Sequence, residues 1–214
     1  IRIDLKQSLL SYYYGSSTGD IAELESKGYV GYWVDEVLKL IDSGSTYDDA
    51  VAKVKDRLKV PSNWPGYFKV KDDLEDALES YYGQDIDELE SKGYVGYWVN
   101  RVRDLMLKGK SYQEALEQVL DELEVPSGWP GYEEVKQDLE DLLTSYYGRD
   151  IDELESQGYV SYWVNLVAEL MKQGKSYQEA LEQVRLRLKI RIDLKQSLLS
   201  YYYGSSTGDI AELE

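Results

Sequence analysis

The string Gly-Tyr-Val-Gly-Tyr-Trp-Val at residues 28–34 returns at 93–99 and, with Ser161 in place of the second glycine, at 158–164. The step is 65 residues both times. Val-Pro-Ser-Asn-Trp-Pro-Gly-Tyr at 60–67 returns at 125–132, with Gly128 in place of Asn63, at the same step. Residues 85–124 and 150–189 agree at 29 of 40 positions. Repetition at a fixed period means that one supersecondary unit is used again and again. Three modules follow, residues 1–65, 66–130 and 131–189. The remaining 190–214 reads as the start of a further unit.

Residues 1–25 and 190–214 are identical at every position, at an offset of 189. Diverged copies inside and a perfect copy at the two ends suggest a longer unit of about 189 residues that itself recurs. The start at Ile1, with no methionine and no signal-like segment, reads as a fragment or a processed product.

The periodicity within a module is helical, and the predicted fold class is all-α: tandem repeats of about four helices joined by Trp-Pro loops. In module three, Val135, Leu139, Leu142 and Leu143 share a face over 133–147 and stop at Gly148. A short helix is predicted from Asp150 or Ile151 to about Gln157, with Asp150 and Glu153 as a capping box and Gly158 as its C-cap. The next runs from Tyr159 to about Gln173, with Val160, Trp163, Val164, Val167, Leu170 and Met171 on one face. Ser176 and Glu179 form a second capping box, opening a helix with Ala180, Leu181, Val184 and Leu188 inward. Ser45 or Thr46 and Ser111 take the same role in the earlier modules. The Pro61, Pro65, Pro126 and Pro130 segments are rigid loops, because proline cannot donate a backbone hydrogen bond. No Gly or Pro interrupts Ser176–Tyr203. That stretch is predicted as one helix of roughly 42 Å, with a short break near Ile190–Ile192 as the alternative, since β-branched residues lower helix propensity.

Composition removes several function classes. There is no cysteine and no histidine, which excludes disulfides, thiolate metal sites, cysteine nucleophiles and the usual general base. The formal charge is -17, so phosphate-bearing partners are repelled, and nucleic acid is not an expected partner. No apolar run approaches the roughly 18 residues of a membrane span. The 21 Tyr and 5 Trp against one Phe mark the chain as tyrosine-rich.

The core of each module resembles a family of short helical domains of unknown function that occur as repeats in bacterial surface and secreted proteins, themselves distantly similar to phycobilisome linker domains. In module three the resemblance rests on Tyr147, Gly148, Arg149, Asp150, Gly158, Tyr162, Trp163, Val164, Leu170, Gly174 and Ser176. In module two it rests on Tyr82, Gly83, Gln84, Asp85, Gly93, Tyr97, Trp98, Val99, Leu105, Gly109 and Ser111. It covers about 40 residues per module and departs from the family in the acidic insert 150–157 and in the Trp-Pro loop. It implies a non-catalytic role in surface proteins and no defined site.

The candidate chemistry is sparse. Asp85, Asp87, Glu88 and Glu90, copied as Asp150, Asp152, Glu153 and Glu155, suggest calcium or paired-carboxylate work. An EF-hand loop needs an oxygen ligand and then a glycine where Leu89 and Glu90 stand, so no metal site is expected and the acids read as a first helical turn. Trp64, Tyr67, Trp129 and Tyr132 are the possible ligand or packing aromatics, as a glycan platform or as wedges between helices. Trp33, Trp98 and Trp163 read as core, and the Tyr12–Tyr14 and Tyr81–Tyr82 runs as seam residues. Arg185–Arg191 either pairs with acidic helices of a neighbouring module or chain or is a solvated face. No serine-nucleophile, phosphate-loop or dinucleotide motif occurs, and Asn63, Asn100 and Asn165 lie outside any glycosylation sequon.

The expectation is a non-enzymatic structural segment of an extracellular or cell-surface filament-type protein, without cofactor. Its partner would be other copies of itself, joined head to tail. The alternatives are a glycan- or peptide-binding repeat using the loop aromatics, and an engineered helical scaffold in which the identical ends are a joining device.

Overall fold

The computed structural model describes residues 1–205 and 207–213, of Glu212 the backbone alone; Ser206 and Glu214, which belong to the segment 190–214, lie outside the described residues. The fold is all-α. Its helices are α1 (Arg2–Tyr14), α2 (Ile21–Ser26), α3 (Tyr29–Asp42), α4 (Tyr47–Arg57), α5 (Tyr67–Tyr82), α6 (Ile86–Ser91), α7 (Tyr94–Leu107), α8 (Tyr112–Glu122), α9 (Tyr132–Tyr147), α10 (Ile151–Ser156), α11 (Tyr159–Lys172) and α12 (Tyr177–Tyr203). A 3-10 turn follows at Ile210–Leu213.

Local chemistry explains the boundaries. The Ser176 side chain accepts from the Glu179 backbone while the Glu179 carboxylate accepts from the Ser176 backbone, so α12 opens on a full capping box. Ser111 and Glu114 do the same for α8. In module one Thr46 is the cap, accepting from the backbone of Asp49 at 3.2 Å. At α10 the structure differs from the expected box. Asp150 accepts from Asp152 at 2.9 Å, because a short Asp side chain reaches the second amide. Glu153 lies instead toward Arg149, 3.7 Å away. Gly158 serves two helices at once: it follows Gln157, the residue that closes α10, and with φ 83 it begins α11. α12 is one uninterrupted helix of 27 residues, without the break that Ile190 and Ile192 allow.

The chain divides into two compact units: Ile1–Asp76 with Ile86–Glu122, and Ala77–Asp85 with Leu123–Glu214. The division does not follow the sequence modules, since α5 contributes to both. In the first unit α1 packs on α2, α3 and α4, α3 on α4, and α7 on α8. Leu5, Leu9, Leu24, Val37, Val54 and Leu74 have no exposed surface. In the second, α12 packs along α9 and α11, and α9 also meets α10 and the 3-10 turn. The predicted inward face of α11 is buried throughout, as are Ala180, Leu181, Val184 and Leu188 of α12.

Of the three tryptophans expected in the core, Trp163 is 1 % exposed, while Trp33 and Trp98 are half-buried. Trp163 is covered by the Arg191 guanidinium of α12, which lies over its ring at 4.8 Å. Among the described residues no polar or charged residue is fully buried.

Gly31 and Gly96 sit inside α3 and α7 with nothing within 4 Å of where a Cβ would stand. Glycine inside a helix carries an entropic cost, so Gly31→Ala and Gly96→Ala are each expected to raise stability by about 0.5–1 kcal/mol. Urea denaturation checks this; an unchanged or lowered midpoint contradicts it.

Candidate functional site

The most elaborate side-chain chemistry lies where the Trp-Pro loops meet helix ends. In the first unit, the indole N–H of Trp64 donates to the main-chain carbonyl of Tyr12 at 2.8 Å, satisfying an acceptor that the end of α1 leaves open. The Tyr12 hydroxyl donates to Asn100 of α7 at 2.8 Å. The indole N–H of Trp33 donates to the Tyr13 hydroxyl at 3.0 Å. The rings of Tyr12 and Tyr67 stand 5.9 Å apart, and those of Tyr12 and Trp33 meet edge to face.

Loop and helix end cross backbone to backbone. Gly66 has φ +102, and a Cβ there would lie 2.6 Å from the carbonyl carbon of Tyr14 and 2.8 Å from the carbonyl oxygen of Tyr13. Only glycine combines that torsion with that approach.

The second unit holds the same junction. Trp129 donates to the carbonyl of Tyr81 at 2.8 Å, the Tyr81 hydroxyl donates to Asn165 at 2.6 Å, and Gly131, φ +108, meets Gly83. The end of α9 has no Trp-Pro loop against it. There Trp163 donates to the Tyr147 hydroxyl at 3.1 Å, and the ammonium of Lys195 takes the place of the indole, donating to the carbonyl of Tyr146.

Two further contacts recur in register. Tyr47, Tyr112 and Tyr177, each the first residue of its helix, donate to Asp4, Asp73 and Asp138. Arg2, Lys71 and Lys136 pair with Glu25, Glu90 and Glu155. Glu90 accepts from Lys71 and from the hydroxyls of Tyr29 and Tyr67. Burial pushes its carboxyl up, and the Lys71, Tyr29 and Tyr67 donors outweigh that, leaving it below the ordinary glutamate range. Burial likewise pushes the Tyr12 phenol up to about 12, and those of Tyr13 and Tyr67 further.

The four loop aromatics are thus engaged in packing. Trp64, Tyr67 and Tyr132 are 4 %, 5 % and 2 % exposed, and Trp129 is half-buried with its N–H committed. The basic stretch is partly placed: Arg185 donates to the carbonyl and carboxylate of Asp138, and Arg191 covers Trp163. The acidic clusters stand at helix starts, with Asp87 and Asp152 at 3.6 and 4.0 Å from Lys71 and Lys136. Among the described residues no group of three or more acidic side chains is disposed to hold a metal ion, and no helix is long and apolar enough to cross a membrane.

Sequence reading missed the tyrosine–aspartate contacts, the asparagine acceptors and the role of Lys195. The first had a signal, since Tyr47, Tyr112 and Tyr177 recur at the 65-residue step directly after a helix cap. The other two depend on which helix end meets which face, and periodicity does not carry that.

No family model, no curated protein and no solved structure matches the chain.

Proposed function

We propose that the chain is a non-enzymatic structural repeat segment whose copies join head to tail, at a cell surface or outside the cell. The observation that supports this reading is where the reactive side chains are used. Tyrosines, tryptophans, lysines and carboxylates of the kind that would serve an active site are engaged with one another or with main-chain carbonyls at helix junctions repeating along the chain. The experiment is sedimentation velocity on the full chain over a wide concentration range. Concentration-dependent species larger than the monomer are expected. A single monomeric species at every concentration overturns the assembly reading.

A second reading, a glycan- or peptide-binding repeat, draws on a different set of rings from the loop aromatics. Tyr32, Tyr97 and Tyr162 are 57 %, 63 % and 55 % exposed, and each stands edge to face against the tryptophan that follows it. Stacking of a sugar on these rings would change tryptophan emission. A flat titration against a glycan library excludes that reading.

A further inference from the structure

One 25-residue sequence occupies two environments in this chain. In its first copy Leu5 and Leu9 have no exposed surface, and Tyr12 and Tyr13 are 2 % and 4 % exposed. In the second copy the same positions are Leu194, 49 % exposed, Leu198, half-buried, and Tyr201 and Tyr202, 82 % and 62 % exposed. Ile190, Leu194, Leu198 and Tyr201 fall at helical spacing along one side of α12. They are the residues that, as Ile1, Leu5, Leu9 and Tyr12, α1 turns toward its neighbours. The second copy packs through Leu199, whose counterpart Leu10 is buried as well, and through Ile210 and Ala211.

The local conformation is nevertheless the same as far as the aspartate cap, beyond which the first copy continues as α2 and the second as the 3-10 turn. Gly15 and Gly204 both close their helices with φ 68 and with ψ 9 and 10. Asp20 and Asp209 each accept from the second amide onward at 2.9 Å. The Tyr14 and Tyr203 hydroxyls donate to the carbonyls of Asp20 and Asp209 at 3.1 and 3.2 Å. The second copy is therefore held in the shape in which the first is seated, with its apolar stripe open.

We propose that the seat of α1 in the first unit is also the receptor for residues 190–203 of a second copy of this chain, which exchange with the resident residues 1–14. The proposal rests on the head-to-tail reading above and names the surfaces that join. Sequence identity fixes the occupant. Asp193 stands where Asp4 accepts from Tyr47. The carbonyl of Tyr201 stands where Tyr12 accepts from Trp64. The hydroxyl of Tyr202 stands where Tyr13 accepts from Trp33. The visitor gives up the Arg191–Trp163 and Lys195–Tyr146 contacts. The resident's advantage is its tether, equivalent to an effective concentration on the order of millimolar, so exchange is favoured by crowded copies and by anything that loosens α1. Each exchange is heterologous and leaves a further tail open, so it builds a filament unless the rotation per copy closes a ring.

The chain has no cysteine, which makes a site-specific test clean. Ser8, the counterpart of Ser197, lines one groove with Asp56 of α4. Full-length Asp56→Cys and Ser197→Cys chains, separately tagged, are mixed and treated with a short bis-maleimide. The expected result is a mixed adduct that a Lys172→Cys control does not give. Leu194→Ala, which alters only the visitor, lowers its yield at least about tenfold, and Leu5→Ala, which loosens only the resident, raises it by a similar factor. Leu194 is exposed, so its truncation leaves the seat folded even where Leu5→Ala does not. A yield no greater than the control's, or one indifferent to Leu194→Ala, overturns the proposal. So does a doubly substituted chain that cross-links only within itself, which would mean that the tail seats in its own copy. Larger species in sedimentation without this adduct leave the head-to-tail reading standing and end the exchange proposal; neither signal ends both.

Discussion

Helix content collapses cooperatively as the pH rises from about 10 toward 12, within one or two pH units, and tyrosinate absorbance jumps in the same interval. The tyrosines decide this. Tyr12, Tyr13, Tyr67, Tyr132, Tyr146 and Tyr147 are all buried, and burial raises the pKa of every one. A phenol whose folded pKa lies above its unfolded value contributes stability that is complete below the unfolded value and is lost as the pH climbs toward the folded one. In that window the folded chain keeps a proton that the unfolded chain has released. Each group that keeps its proton through the window removes about 1.4 kcal/mol per pH unit, and the four shifted furthest, Tyr12, Tyr13, Tyr67 and Tyr132, remove roughly 6. A domain holds only about 5–15 kcal/mol in total. The acid side carries the opposite sign. Glu90 and Asp73 have lowered pKa values, so their contribution is present above the ordinary carboxylate range and fades as the pH falls through their folded values. Circular dichroism and tyrosinate absorbance followed together make the check. A smooth phenol titration near pH 10 with helicity intact beyond pH 12 contradicts the alkaline prediction.

Gly66→Ala and Gly131→Ala are each expected to destabilise by on the order of 3–5 kcal/mol. The torsion itself, φ +102 and +108, carries part of that penalty. The larger part is collision with backbone. At Gly131 an added methyl would lie 2.9 Å from the carbonyl oxygen of Tyr82 and from the Cα of Gly83, and no rotamer change removes main-chain atoms. Relief means drawing the loop off the helix end, which breaks the Trp129 bond to Tyr81, or at Gly66 the Trp64 bond to Tyr12. Gly44, Gly109 and Gly174 are the built-in controls. They have φ between 95 and 102 and nothing within 4 Å, so alanine there meets torsional strain alone, about 1–3 kcal/mol. Guanidinium melts of the five variants check the ranking. Equal losses across them would mean that the close approach of loop and helix end carries no energetic weight.

Much of this architecture is legible in the residues themselves. Helical spacing, the caps at Ser111 and Ser176 and the glycines at 28, 93 and 158 are local instructions, because a helix face or a capped amide is satisfied within a few residues. The Trp-Pro loop declares its rigidity the same way. What local rules do not carry is register. In sequence, the glycines after the tyrosine runs align Tyr14 with Tyr82. In the structure, Trp64 and Trp129 take their acceptors from Tyr12 and Tyr81, so α1 runs one residue further past its acceptor than α5 does and Tyr14 is the surplus, donating to Glu23 and Asp20. The sequence alone determined an all-α chain in which one stretch of sequence recurs. Only the tertiary structure decided which faces of those helices are buried, and residues 1–25 and 190–214 are the proof. Identical chains of side chains form the same helix, the same glycine stop and the same aspartate cap. Leu5, Tyr12 and Tyr13 face inward in one copy and their counterparts Leu194, Tyr201 and Tyr202 outward in the other, because burial depends on which neighbouring helices stand alongside and not on the segment being buried.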